Sequence, residues 1–203
     1  MSTVPKRLLT EQEYLAKERQ APFRSEFSRG EMFAMAGATR EHNLITGNVA
    51  RNLANQLDGR PCETYSTDMR VRITPTGLYT YPDVVVACGS PQFADNEQDV
   101  LLNPTVLIEV LSPSTASYDR GDKRVHYLQL DSLRELLLVE QEFPAVEHHI
   151  RQPNGDWIER QIEGPEARIE LPSIGCVLTF AEIYARITFP PDARRPLRPM
   201  VDE

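Results

Sequence analysis

The sequence predicts a mixed α/β domain, with a central mixed β-sheet flanked by helices. Three observations carry this reading. "VVV" at 84–86, "VLIEVL" at 106–111 and "ELLLV" at 135–139 are short apolar runs with almost no polar interruption, the pattern of strands covered on both faces. Amphipathic segments at 10–19 and 40–57 precede them and a further helical segment lies between the second and third runs, the alternation of a layered sheet. An Asn154-Gly155 pair sits between two strand-like stretches, a strong hairpin signal.

In chain order, Thr10 and Glu13 form a capping box that opens a first helix over "TEQEYLAKER". "FRSEFSRGEMFAMAG" alternates Phe23, Phe27 and Phe33 with polar residues around Arg29-Gly30 and reads as an antiparallel hairpin. Thr39 caps a second helix over 40–57, where Ile45, Val49, Leu53 and Leu57 form an apolar stripe; Asp58-Gly59 ends it. Strands follow near 62–66 and 68–74, then the turn "TPTGL", then the strand "YPDVVVAC"; the polar stretch 88–104 reads as a loop. "TVLIEVL" is the second buried strand, and Pro113 in "SPST" ends it. A helix is expected over 117–131, beginning near Asp119, followed by the buried strand 135–141, the Asn154-Gly155 hairpin and a short closing helix "TFAEIYARI" capped by Thr179. One domain spans 1–189, and a Pro- and Arg-rich tail over 190–203 reads as flexible.

Composition narrows the function classes. No apolar run approaches the roughly 20 residues of a membrane span, and "MSTVPKRLLTEQEYLAKERQ" lacks the apolar core of a signal peptide. Cys62, Cys88 and Cys176 are scattered, so no disulfide framework and no thiolate metal site is expected, and a reducing cytoplasm fits best. There is no GxxxxGK[ST], GxGxxG or GxSxG, so neither a nucleotide cofactor nor a serine hydrolase elbow is indicated. The net charge of −8 and pI near 5.1 count against a protein held mainly by phosphate contacts.

Asp83 and Glu109 stand out. Each lies in, or at the lip of, a buried strand, where an unpaired carboxylate costs several kcal/mol unless it is protonated, paired or bound to a cation. Strand periodicity puts Leu107, Glu109 and Leu111 on one face and Val106, Ile108 and Val110 on the other. Two readings of the acids are open: ligands of a hard cation such as Mg²⁺, which takes one or two carboxylates plus waters and phosphate oxygens, or buried ion pairs with Arg or Lys. Lys123, 14 residues after Glu109 on the next helix, can reach back toward them, and Tyr127 one turn on shares its face. His148 and His149 fall on opposite strand faces, and His126 is a single helix residue among largely polar surroundings, so no zinc site is indicated.

These residues carry a resemblance. "YPDVVV", "VLIEVLSPSTASYDRGDKRVHYLQL", "LRELLLVEQ" and the upstream "EFSRGEMFAMAGATREHNLITGNVARNL" resemble the Uma-two-type restriction endonuclease family of the PD-(D/E)xK nuclease superfamily, over about residues 8–185. The resemblance implies a restriction-endonuclease-like core and Mg²⁺-dependent cleavage of DNA, with Mn²⁺ able to substitute. Asp83 matches the acid of the Pro-Asp motif and Glu109 the middle acid. The usual lysine position is Leu111 here, and Lys123 on the following helix is the match. Glu31 matches the acid of the family's "GE" hairpin and joins Asp83 and Glu109 as an implied metal ligand. His42 matches a recurring residue suited to phosphate contact or proton transfer, and Tyr127 is a further candidate for that role. Arg40, Arg51, Arg120 and Arg124 are candidate phosphate contacts or ordinary surface charges. A homodimer is expected from nuclease logic, since cutting two strands needs two sites. The alternative function is a catalytically inactive nuclease-fold module for binding or dimerisation, motivated by Leu111 and the net charge.

Overall fold

The three apolar runs become the middle of a six-stranded sheet. The computed structural model describes residues 7–164, 166–190 and 193; the Pro/Arg-rich tail falls outside these residues except at Pro190 and Ala193. Helix α1 (Glu11–Glu18) starts at the expected Thr10–Glu13 capping box, and β1 (Ser25–Ser28) and β2 (Glu31–Ala34) form the expected hairpin. Helix α2 covers Arg40–Leu57, as its stripe and Thr39 cap predict. Then come β3 (Cys62–Ser66), β4 (Arg70–Ile73), β5 (Leu78–Thr80), β6 (Val84–Cys88), β7 (Val100–Leu101) and β8 (Val106–Leu111).

The chain after β8 forms α3 (Ala116–Tyr118), a π-helical turn (Asp119–Lys123) and α4 (Arg124–Tyr127). Strands β9 (Glu135–Glu140), β10 (Ala145–Arg151), β11 (Trp157–Glu163), β12 (Arg168–Leu171) and β13 (Cys176–Thr179) follow, and α5 (Phe180–Ile183) closes with Thr179 as cap. The large sheet runs β11-β10-β9-β8-β6-β3, with β8 and β9 parallel and the other pairs antiparallel. A second sheet runs β2-β1-β5-β4-β7, and β12 and β13 form a third.

Alternating side chains of the large sheet feed two apolar layers. Val84, Val86, Val106, Ile108 and Val110 pack with Ile45, Val49, Leu53 and Leu57 of α2 and with β12, β13 and α5. Val85, Leu107, Leu111, Leu136 and Leu138 pack on the other face with Tyr127 and with Val71, Ile73 and Leu78 of the second sheet. Each fully buried aliphatic side chain contributes about 1.5–3 kcal/mol by leaving water, which fixes the strand register and thereby the face on which Glu109 emerges.

Five expectations are corrected. The stretch read as one strand from Tyr81 begins at Val84, and Leu78–Thr80 forms a separate strand in the other sheet. The loop 88–104 contains β7, too short to leave a pattern, and β12–β13 occupy a stretch in which no strand was expected. The helix expected over 117–131 starts at Ala116, passes a π-turn in which Gly121 leaves helical geometry (φ −92°, ψ −108°), and ends at Tyr127. Cys62 and Cys88, expected to be free, are joined in a disulfide. They are 26 residues apart in sequence, and only the β3–β6 register sets them opposite each other. Cys176 is buried and free.

Candidate active site

The β6–β8 register sets Val84 opposite Ile108, so one step further along the antiparallel ladder Asp83 comes beside Glu109. The Val110 N–H donates to Asp83 Oδ2 at 2.8 Å, which fixes that carboxylate at the mouth of the strand pair. His42, in the first turn of α2, places Nε2 3.2 Å from the same oxygen. Glu109 is 4% exposed. Its Oε1 accepts from the Tyr127 hydroxyl and lies 2.9 Å from Lys123 Nζ.

Lys123 is 5% exposed and also lies 3.0 Å from Glu26 Oε1 and 3.5 Å from Asp119 Oδ1. Glu26 comes from β1 and Asp119 from the π-turn, both buried. The Thr80 hydroxyl donates to Glu26 Oε1 and lies 3.4 Å from the Tyr127 hydroxyl. Three carboxylates therefore converge on one ammonium, with Asp83 alongside.

Titration follows from burial and crowding. Burial pushes the Glu109 carboxyl up to about 8; Lys123 opposes the rise, while Asp83 and Asp119 add to it. Burial also raises Asp119, against the pull of Lys123. Burial works against the charge on Lys123, but Glu109, Tyr127, Glu26 and Asp119 outweigh it and hold the ammonium well above its ordinary value. The Tyr127 phenol is driven well up, by burial first and then by Glu109. The cluster sets Glu26, Glu109 and Asp119, with Asp83 alongside, against one lysine, and an added cation would relieve that crowding.

The residues fit a hard cation. Asp83 Oδ1 and Glu109 Oε2 have no protein hydrogen-bond partner among the described residues, leaving one oxygen on each acid for a ligand. Among the described residues no three His, Cys, Asp or Glu side chains are grouped so as to hold a metal ion by themselves.

The structure thus brings together Asp83, Glu109, Lys123, His42 and Tyr127. Glu31 stands on β2 and lines the same cavity, of about 1610 Å³. Leu111 is buried in the apolar layer, so its side chain takes no part. Arg120 pairs with Glu140 and Glu147, Arg124 with Glu159 and Arg40 with Glu41. Two acids of the cluster, Glu26 and Asp119, were not singled out in the sequence. A signal for Glu26 was present: strand alternation turns it away from the core residue Phe27.

A mixed sheet with one parallel pair at its centre, packed against helix α2 and a second sheet, is the architecture of the restriction-endonuclease-like nucleases. The likeness extends to a solved structure, described as a "putative nuclease belonging to DUF820" from Anabaena variabilis ATCC 29413. It aligns at a TM-score of 0.69 and 17% identity, over 87% of this chain and 98% of that one. The chain belongs to the Uma2 family, whose description is "Putative restriction endonuclease" and which it matches over residues 11–181. Two relatives come from Synechocystis sp. (strain ATCC 27184 / PCC 6803 / Kazusa). "Uncharacterized protein sll1609" is 38% identical over 81% of this chain and 93% of its own length. "Uncharacterized protein slr1290" is 33% identical over 89% and 94%. Among the described residues no helix is long and apolar enough to cross a membrane.

Proposed function

We propose that the chain is a metal-dependent endodeoxyribonuclease that hydrolyses phosphodiester bonds of DNA in the cavity bounded by Asp83, Glu109 and Lys123. One observation carries the reading: a buried lysine reaches 2.9 Å from a buried strand carboxylate whose cross-strand neighbour is a second acid with a free oxygen. Asp83 and Glu109 would hold Mg²⁺ or Mn²⁺, and Glu31 lines the same cavity. The bound metal supplies Lewis-acid stabilisation of charge on a phosphoryl group.

The chain's own residues supply the rest. The Lys123 ammonium offers donors and positive charge where charge develops on the phosphate, and orients the attacking water. Its three carboxylate partners hold it in place and protonated. Tyr127 fixes the rotamer of Glu109, and the Val110 N–H and His42 fix that of Asp83. His42, 15% exposed at its side chain, is placed to contact phosphate or pass a proton. A double-strand cut would call for the homodimer expected from two-site logic.

The test is cleavage of single-stranded, double-stranded and branched DNA with Mg²⁺ or Mn²⁺. Cleavage that stops with EDTA and in Asp83→Ala supports the proposal. Equal activity of wild type and Asp83→Ala would sink the site assignment. The second reading, an inactive module, is favoured by Leu111 lying in the apolar layer where the superfamily lysine belongs; it predicts no cleavage of any of these DNAs.

A further inference from the structure

Two aromatic rings stand half in water on the walls of the candidate cavity. Phe33 is 52% exposed and Tyr118 39%, and both line the cavity. Phe33 lies on β2 directly across from Glu26, the acid 3.0 Å from Lys123. Strand alternation puts Glu31 and Phe33 on one face and turns Met32 to the aromatic layer of Tyr14 and Phe27. Phe33 belongs to none of the three apolar clusters, so the fold does not use its ring. Tyr118 comes from another element, α3, and immediately precedes Asp119. Part of its ring faces solvent, and its chain neighbour Asp119 is 3.5 Å from Lys123.

We infer that Phe33 and Tyr118 are stacking platforms, and that the cavity takes unpaired nucleotides of single-stranded DNA, flaps or frayed ends in preference to intact duplex. The inference rests on the nuclease reading above, which supplies DNA as the ligand. The faces of bases inside a duplex are covered by their neighbours, and only an unpaired base can lie on an aromatic ring. Charge points the same way. Contacts to a duplex need many cations, whereas the chain carries a net charge of −8 and the cavity presents Glu26, Asp83, Glu109 and Asp119. Stacking needs no cations, because every base has an apolar face. Arg24 and Arg29 in the same wall suffice for a short phosphate track. With two phosphate contacts, log affinity falls with log salt at a slope of about −1.4, far shallower than for groove-binding proteins.

The experiment is fluorescence anisotropy with a labelled oligo-dT strand and a duplex of the same length. It is run in Ca²⁺ buffer at several salt concentrations on wild type and on Phe33→Ala, Tyr118→Ala, Phe33→Trp and Tyr118→Phe. Single strand should bind at least about tenfold more tightly than duplex, with the shallow slope. Each alanine variant should lose about 5- to 150-fold, the range for one lost base stack, while Phe33→Trp and Tyr118→Phe retain binding. Both sites are exposed, so melting temperatures should hold. Duplex bound as tightly as single strand, alanine variants that bind like wild type, or no binding of single strand overturns the inference. The nuclease reading fails separately: alanine-sensitive binding with no metal-dependent cleavage removes that reading alone, and cleavage of duplex at full rate by the alanine variants removes the stacking role alone.

Discussion

Replacing Lys123 with methionine removes the one ammonium in the buried acid cluster while keeping much of the side-chain volume. In the wild type Nζ lies 2.9, 3.0 and 3.5 Å from Glu109, Glu26 and Asp119, and all four groups are buried. Deleting one partner of a buried ion pair leaves an uncompensated charge and costs about 3–5 kcal/mol, a large share of the 5–15 kcal/mol typical of a whole domain. The acids respond by holding protons more tightly in the folded state than in the unfolded one. Groups whose folded pKa is raised contribute stability at low pH and lose it as pH rises through the folded value. Lys123 holds the Glu109 carboxyl below where burial alone would put it, so losing the ammonium moves that value above about 8. The deficit of Lys123→Met should therefore grow as pH rises through about 8 and shrink toward acid, where wild type itself holds a buried ammonium facing neutral carboxyls. Adding Glu109→Gln to Lys123→Met removes one stranded charge and should recover about 0.5–3 kcal/mol through coupling. Urea unfolding of the four proteins of this cycle, followed across pH, gives each free energy. A Lys123→Met deficit that stays within about 1 kcal/mol, the level of a surface pair, and does not grow as pH rises past about 8 would refute the argument.

Three further outcomes are expected. Tyr127→Phe removes the hydroxyl that donates to Glu109 and should cost about 1–3 kcal/mol, because a buried carboxylate oxygen loses a donor; thermal and urea unfolding measure it. The Glu109 proton must leave before a metal binds, so Mn²⁺ affinity measured by electron paramagnetic resonance should rise with pH up to about 8 and then level, and a flat profile from pH 5 contradicts the raised carboxyl. The Leu53 side chain is fully buried between α2 and the sheet, so Leu53→Ala should cost about 2–5 kcal/mol by urea unfolding.

Much of this architecture is legible in the sequence because its signals are local. The Thr10–Glu13 box, the α2 stripe, the three apolar runs and the Asn154-Gly155 turn each act within a few residues, and each forms where the pattern places it. Period-two alternation also separates Glu109 and the two leucines beside it from Val106, Ile108 and Val110 correctly, since the two apolar layers accept no other register. What stayed hidden depends on distant partners. Glu26 resembles any hairpin glutamate until β1 packs in the second sheet and Lys123 reaches it. Asp119 looks like a solvated helix acid until the π-turn at Gly121 brings it inward. The Cys62–Cys88 bond is invisible without the β3–β6 register, and β5 and β7 are too short for any periodicity to show.

The central claim is that Asp83 and Glu109 hold a catalytic divalent metal beside Lys123. Isothermal titration of Mn²⁺ into wild type, Asp83→Asn and Glu109→Ala tests it most directly. Saturable binding is expected in wild type, lost or greatly weakened in both variants while their circular dichroism is unchanged. No detectable binding in wild type, or equal binding in all three proteins, would contradict it.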